Sequence, residues 1–236
     1  MTNSETLAKW RDWIERIRAD VDTLYFDRCM FQNVVDIVNA NKQLDTQSLF
    51  FGFFERIYGD SIVMGIRRQL KDDSDSISLA RLLREVKEQP NLVTRSDFYR
   101  TYSDRSTRVT ESINRVAMDH IMSETFDRFA LSDSPHIDPA RIERDIDKLK
   151  DACKEAELLA DRYIAHWDRR RVPGFTVPFP NIYNAIDALG DMVKKYGLLF
   201  LGHELELCPS YDPSIFDIFN EPWSIPASVP HNRHRF

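Results

Sequence analysis

The sequence predicts an all-α protein, a helical bundle that carries a proline-rich, non-helical C-terminal arm. Apolar residues recur at steps of three and four through most of the 236 residues, which is the spacing of amphipathic helices. Only seven glycines are present, and runs of Val, Thr and Gly are scarce, so helix is favoured over sheet. Five of the eleven prolines follow Leu207, which places the bundle in residues 1–206 and the arm in residues 207–236.

Composition limits the classes of function. The length suits one large domain or two small ones with a substantial core. No apolar run approaches the roughly 20 residues of a membrane span, so we predict no membrane contact. The three cysteines lack metal-ligand spacing and indicate a reducing, cytoplasmic location. A net charge of −6 opposes general nucleic-acid binding, so contact with RNA requires a local basic patch.

The first two predicted helices supply much of the core. The first helix has apolar positions that continue beyond a short break: Trp10, Ile14, Ile17, Val21 and Leu24, then Phe31, Val34, Val35 and Val38. Thr46 can cap the second helix, which is apolar on nearly all sides from Phe50 to Ile66. We expect this second helix to be buried at the centre of the core, with its glycines permitting the close approach of a neighbouring helix.

Shorter elements follow in the middle of the chain. The stretch "SISLARLLREV" predicts a capped helix that Pro90 terminates. Residues 91–106 are polar and are expected to form a connection with little regular structure. Another helix is indicated by four spaced apolar residues, Val109, Ile113, Val116 and Ile121.

The most regular pattern belongs to the helix that begins near residue 139. Its apolar seam alternates steps of four and three without interruption: Ile142, Ile146, Leu149, Cys153, Ala156, Ala160, Tyr163 and Trp167. We expect this helix to continue until Pro173, followed by an extended connector, "VPGFTVPFP", and a last helix over Ile182–Leu199. Aromatic residues of the arm (Phe216, Phe219 and Trp223) predict that it packs on the bundle.

The candidate chemistry lies in "DRYIAHWDRRR", residues 161–171. Arg162 and His166 are four residues apart, so on an α-helix they share the face beside the seam, and Arg169 extends that face. A neutral imidazole transfers protons near pH 7, and a guanidinium binds phosphate oxygens. This pair could support cleavage of RNA without a metal. The alternative is a basic helix end, which the helix dipole favours.

Two stretches resemble a known family. "DRYIAHWD" is similar to the signature helix of the HEPN superfamily, and "YGDSIVMGIRRQLKDDSDSISLARLLREV" resembles its AbiU-like, abortive-infection branch. The resemblance covers roughly residues 5 to 205. It implies an all-α bundle that often dimerises, with a role in phage defence or a toxin–antitoxin system. It further implies an RNA substrate, a homodimer with the Arg162–His166 pairs near its two-fold axis, and an antitoxin or other protein partner.

The sequence departs from the motif of this family at one position. The family separates its arginine from the histidine by four to six intervening residues, so the arginine should stand at Asp161, Ala160 or Leu159, and none of these is basic. In the best alignment that position is Ala160. Either Arg162 has taken over the phosphate contact, or the protein is a scaffold or protein-interaction module without RNase activity. The histidine and the aspartate that follows it in the motif, Asp168, are present.

A second group of charges precedes the predicted capped helix that Pro90 terminates. Arg67 and Arg68 could cross to Asp161 or Asp168 and orient the Arg162–His166 pair. The alternative is again a helix end, in which the arginines complement the last carbonyls and the aspartates of residues 72–75 cap the next helix. We predict neither a metal nor a cofactor, since "HELE" at residues 203–206 lacks the second histidine of a zinc protease and no glycine-rich phosphate loop is present. A ligand-binding bundle with "GFTVPFP" as a wall is a further alternative.

Overall fold

A computed structural model describes residues 2–41, 49–106, 115–165, 169, 175–207 and 211–220. Several predicted features therefore lie outside the described residues: the cap at Thr46, the apolar positions Val109 and Ile113, and the aromatic residues Trp167 and Trp223.

Seven α-helices account for most of the described chain, which confirms the all-α prediction. They are α1 (Asn3–Ala40), α2 (Leu49–Leu70), α3 (Leu79–Glu88), α4 (Arg95–Ser106), α5 (Arg115–Phe126), α6 (Pro139–Leu159) and α7 (Phe179–Leu201). Within the described residues there is no strand, and the one β-type pairing is an isolated bridge between Thr94 and His136. No helix in the described part of the chain is long and apolar enough to cross a membrane.

Side chains at the helix N-termini explain where three helices begin. Thr2 and Glu5 form a capping box on α1, because each side chain bonds the backbone N–H of the other. Ser78 caps α3 by accepting from the backbone N–H of Arg81 at 3.2 Å. Asp138 caps α6, and Pro139 follows it at the first helical position, where a missing N–H costs nothing.

Helix α7 lies at the centre of the bundle and packs against α1 and α6. Its core residues Leu189, Val193 and Tyr196 are fully buried. The predicted seam of α6 is confirmed up to its last α-helical turn: Ile142, Ile146, Leu149, Cys153 and Ala156 are all buried. Burial of these continuous apolar faces provides the main stabilisation of the fold.

Gly202 ends α7 in the left-handed conformation, with φ of +71°. A Cβ atom at this position would lie 2.9 Å from the carbonyl oxygen of Thr101, so the glycine also permits close contact between the end of α7 and α4.

The prediction that α2 is buried on all sides is wrong for its first half. Phe50, Phe53 and Ile57 are 66%, 50% and 49% exposed, respectively. Of the three glycines only Gly65 meets a neighbour, since a Cβ there would clash with Leu24, whereas the space at Gly52 is open. The second half of the helix is packed in the bundle, where Ile62, Val63 and Ile66 are buried. The first half contacts the bundle along one side, where Phe54 stacks on Phe31 of α1.

The prediction of an irregular connection at residues 91–106 is also wrong, because α4 occupies most of it. Thr94 begins the helix by accepting from the backbone N–H of Asp97 at 3.0 Å. Phe98 is 1% exposed and contacts the Tyr102 and Phe126 rings. A single buried aromatic anchors a helix that is otherwise too polar to show an amphipathic pattern.

The described part of the arm, residues 211–220, packs on α1 without forming an α-helix. Pro213–Phe219 is a 3₁₀-helix, so this part of the arm is more regular than the predicted non-helical chain. The Tyr211 hydroxyl lies 3.4 Å from the Asn33 amide nitrogen, and the Tyr211 ring meets the Phe26 ring edge-on at 6.3 Å. The division into a bundle and an arm at residues 206 and 207 stays a prediction.

Candidate functional site

The candidate site lies where the C-terminal end of α2 meets the end of α6. Arg67, in the last turn of α2, donates from Nε to Oδ1 of Asp161 at 2.5 Å. The sequence left two alternatives for Arg67, a capped helix end or a contact with another helix, and the structure shows the contact with another helix. The Arg67 side chain is 21% exposed and the Asp161 side chain 47%, so the pair lies at the edge of the core.

The chain changes its helical geometry at this contact. The α-helix ends at Leu159, and Ala160–Ile164 forms a π-helical turn. In this turn the backbone N–H of Ala165 donates to the carbonyl of Ala160, five residues earlier, at 2.8 Å. The prediction of an unbroken α-helix up to Pro173 is therefore wrong at Ala160–Ile164. Single π-turns inside helices are rare and occur frequently at functional sites.

Arg162 lies in the middle of this turn and is half-buried, and Arg169 is exposed. His166 and Asp168 lie outside the described residues. The π-turn alters the α-helical register from which a shared face of Arg162 and His166 was predicted. Arg162 is nevertheless only one residue from Asp161, which Arg67 holds in place.

Ala160, the position aligned with the motif arginine of the HEPN family, is fully buried at the start of the π-turn. Its methyl group belongs to the same core as Cys153 and Ala156. A larger, charged side chain has no room at this position without a change in packing. A phosphate contact in this turn must therefore come from another residue, and Arg162 is the cation two positions later.

Glu157 belongs to the same cluster, although no sequence motif identifies it. Burial raises the pKa of its carboxyl group, the negative charge of Asp161 raises it further, and the positive charge of Arg67 opposes the shift. The spacing of Glu157 and Asp161, four residues apart beside the seam, is the signal that would have identified the pair. One guanidinium thus lies near two carboxyl groups.

Arg68, by contrast, points to α1 and not to Asp161. Its Nε lies 3.9 Å from Oδ2 of Asp20, the same oxygen that accepts from Gln69 Nε2 at 3.0 Å. Gln69 is 1% exposed and also accepts from the backbone N–H of Leu79. This network fixes the end of α2, so the position of Arg67 is set by the packing of its neighbours.

The acidic turn after α2 is held by its own hydrogen bonds. Asp73 accepts a hydrogen bond from the Ser76 hydroxyl at 2.6 Å, and this bond is the leading reason that the pKa of the Asp73 carboxyl group is lowered. Arg81 donates to the backbone carbonyls of this turn, including that of Ser76 at 2.9 Å. The expectation that the aspartates cap the next helix is wrong, because Ser78 caps α3.

The connector before α7 contributes an aromatic contact to the π-turn. The Phe175 and Tyr163 rings stack with centroids 5.1 Å apart and an angle of 16° between their planes. Within the described residues, no group of three or more His, Cys, Asp or Glu side chains is arranged to hold a metal.

Comparison with known families identifies the fold to which this site belongs. The family model described as AbiU2, of the HEPN class, matches residues 7–220. The chain belongs to the AbiU2 family of HEPN proteins. The match extends through the 3₁₀-helix of the arm, so the AbiU2 region of this chain includes that segment as well as the bundle. No curated protein and no solved structure gave a match.

Proposed function

We propose that this AbiU2-family protein acts in the bacterial cytoplasm in abortive-infection or toxin–antitoxin defence against phage, as a metal-independent endoribonuclease. The observation that supports this function is the Arg67–Asp161 ion pair, which joins α2 to the π-turn that carries Arg162. Family membership makes the defence role the first choice. The rare π-turn supports the choice of residues, since such turns occur frequently at functional sites.

In the proposed reaction His166 removes the proton from a ribose 2′-hydroxyl. The 2′-oxygen forms a bond to phosphorus, and the bond from phosphorus to the 5′-oxygen breaks, leaving a cyclic phosphate. The imidazolium then returns a proton to the departing 5′-oxygen, so the histidine serves as base and then as acid. Arg162 binds the phosphoryl oxygens, on which negative charge accumulates. The need for a 2′-hydroxyl restricts the substrate to RNA.

The supporting residues have positional roles in this proposal. Arg67 neutralises Asp161, which would otherwise repel a phosphate next to Arg162. Asp168 orients His166. Arg68 and Arg169, whose side chains are accessible to solvent, contact the RNA backbone.

The proposed active form contains a second copy of this chain, and a separate partner protein regulates its activity. Two protomers form a homodimer that places both Arg162–His166 pairs near the two-fold axis, so that RNA is bound between them. An antitoxin or other partner protein then controls the activity by covering this cleft.

A second candidate function follows from the burial of Ala160. Because the position of the motif arginine is fully buried and apolar, the helix could serve as a packing element in a non-catalytic scaffold or protein-interaction module. In that case the Arg67–Asp161 pair stabilises the bundle and has no part in a reaction.

RNA cleavage in the presence of EDTA separates these two functions. Purified protein is incubated with total RNA, and His166→Ala and Arg162→Ala are each expected to lower the cleavage rate by about 100-fold or more. The matched controls are His120→Ala and Arg16→Ala, whose exposed side chains pair with Glu124 and Asp12 and lie on other helices. Both controls are expected to cleave at the wild-type rate.

Equal rates for the wild type, His166→Ala and Arg162→Ala would contradict the nuclease proposal, provided that circular dichroism shows all three to be folded. Background cleavage by every variant would support the scaffold instead. Rates that fall equally in the site variants and the controls would mean that the loss is not specific to the site, and would contradict the roles of His166 and Arg162.

A further inference from the structure

An apolar groove separate from the candidate site lies between α1, α2 and the 3₁₀-helix of the arm. Its volume is about 410 Å³, within the range of small-molecule sites. Each of the three elements forms one side of the groove, with lining residues that are spaced so as to lie on one face of the helix. The lining side chains used below are Asp27 and Phe31 of α1, Tyr58 and Ser61 of α2, and Phe216 of the arm.

The lining is aromatic and apolar apart from a few polar groups. Phe31 and Tyr58 are nearly parallel and stack with ring centroids 3.9 Å apart, which makes this part of the wall rigid. Phe216 is tied to the same surface through its edge-on contact with the Tyr211 ring. The groove therefore has a packed floor and a side formed by the arm.

Asp27 is the charged residue in this lining, and no cationic group of the described residues pairs with it. Burial raises the pKa of its carboxyl group, and burial is the cause that accounts for the shift. The adjacent Arg28 is directed elsewhere: its Nη1 donates to Asp187 at 2.8 Å, and it lies over the Tyr25 ring. A partly buried carboxylate without a compensating cation is an unfavourable arrangement that a positively charged ligand would relieve.

We propose that this groove binds a small organic cation, with an apolar or aromatic body against the Phe31–Tyr58 wall and an ammonium group at Asp27. The charge of Asp27 favours this class over a nucleotide or an RNA base, because a phosphate beside the carboxylate would be repelled. Aromatic side chains also favour cations. The groove is distinct from the Arg67 site, since Tyr58 and Arg67 are about 14 Å apart along α2 at 1.5 Å per residue.

Three probes of matched size test the choice of ligand: 4-phenylbutylamine, 4-phenylbutanol and 4-phenylbutyrate, titrated into the full chain at pH 7 by calorimetry. The amine is expected to bind at least about ten-fold more tightly than the alcohol, because it adds a charged hydrogen bond. The acid is expected not to bind. Failure of the amine to bind, or equal binding of the amine and the alcohol, would overturn the proposal.

Substitutions locate the binding. Asp27→Asn is expected to remove the preference for the amine over the alcohol, whereas Asp36→Asn, at an exposed position on the same helix, keeps it. Ser61→Trp, at an exposed position in the lining, is expected to fill the groove and abolish binding of both probes even if Asp27→Asn fails to fold. An amine preference that survives in Asp27→Asn, or binding unchanged in Ser61→Trp, would place the ligand elsewhere and overturn the proposal.

Discussion

At the scale of single residues, the most deeply buried acid in the described part of the chain is Asp145, which is 5% exposed. Its Oδ2 accepts from Lys195 Nζ at 2.5 Å and from the Tyr196 hydroxyl at 2.8 Å, so one carboxylate connects α6 to two residues of α7. The Lys195 ammonium also lies 5.2 Å from the centre of the Phe129 ring. Every group in this cluster has a partner, as buried polar groups require.

Asp145→Ala is therefore expected to lower the free energy of unfolding by about 3 kcal/mol, because it leaves the Lys195 charge and the Tyr196 hydroxyl without their shared acceptor. Asp147→Ala, at an exposed position on the same helix, is the matched control and is expected to change it by less than about 0.5 kcal/mol. Urea unfolding measures both values. Equal values would mean that the buried cluster contributes nothing specific.

Residues of the candidate site could be predicted only in part from the sequence. Arg67 and Asp161 were both selected, but their spacing of 94 residues gives no local signal of contact. The choice between Arg67 and Arg68 depends on the rotation of α2, which Gln69 fixes through its bonds to Asp20 and Leu79. Glu157 was missed because burial, which raises its pKa, depends on the packing of several helices.

At the scale of elements, the seam of α6 was predictable because a continuous apolar pattern has one interpretation on a helix. The π-turn at Ala160–Ile164 was not, since an α-turn and a π-turn accept the same residues and differ only in hydrogen bonding. Helix α4 was missed for the opposite reason. Phe98 is the most deeply buried of the described side chains of α4, and one aromatic residue in a polar segment does not produce a periodic pattern.

The Arg67–Asp161 ion pair is the contact through which α2 is expected to hold the π-turn. A double-mutant cycle with Arg67→Ala and Asp161→Ala is expected to give a coupling free energy of about 1 kcal/mol, the upper end for partly exposed pairs. The matched cycle is Arg16→Ala with Asp12→Ala, since this pair at 2.9 Å is more exposed, with both partners on α1.

The control cycle is expected to give about 0.3 kcal/mol, as is usual for pairs four residues apart on a helix. Urea unfolding of the wild type, the single variants and the double variants supplies both coupling energies. A coupling for Arg67–Asp161 that does not exceed the control would show that the contact does not position the turn.

At the scale of the whole molecule, the all-α fold was predictable because hydrophobic periodicity is distributed over the full chain. The extent to which α2 is buried could not be predicted, because an apolar helix can face a partner or solvent as well as a core. The exposed Phe50, Phe53 and Ile57 lie on the same helix as the buried Ile62 and Ile66, and their composition does not distinguish them. The position of each element in the bundle decides its burial.

Groups from across the core titrate only at alkaline pH, which makes the stability of the whole molecule depend on pH there. Burial raises the pKa of the Cys153 thiol from 9.0 to about 12. Burial also raises the pKa of Tyr196 well above 10.0, and Asp145 adds to that shift. A raised pKa in the folded state means that stability is fully present below the unfolded pKa and is lost as the pH rises through the folded value.

Between pH 8 and 9, at least about one pH unit below the pKa of tyrosines in the unfolded chain, Cys153 is expected to dominate this loss. The free energy of unfolding should fall with a slope that reaches about 0.7 kcal/mol per pH unit at pH 9, because about half of the unfolded chains have released the thiol proton there and the folded chain retains it. Cys153→Ala is expected to remove this part of the slope, so that the variant is less stable than the wild type at pH 7 and the difference becomes smaller as the pH rises. Urea unfolding at steps of pH measures both curves, and parallel curves for the wild type and Cys153→Ala would contradict the assignment of the slope to this buried thiol.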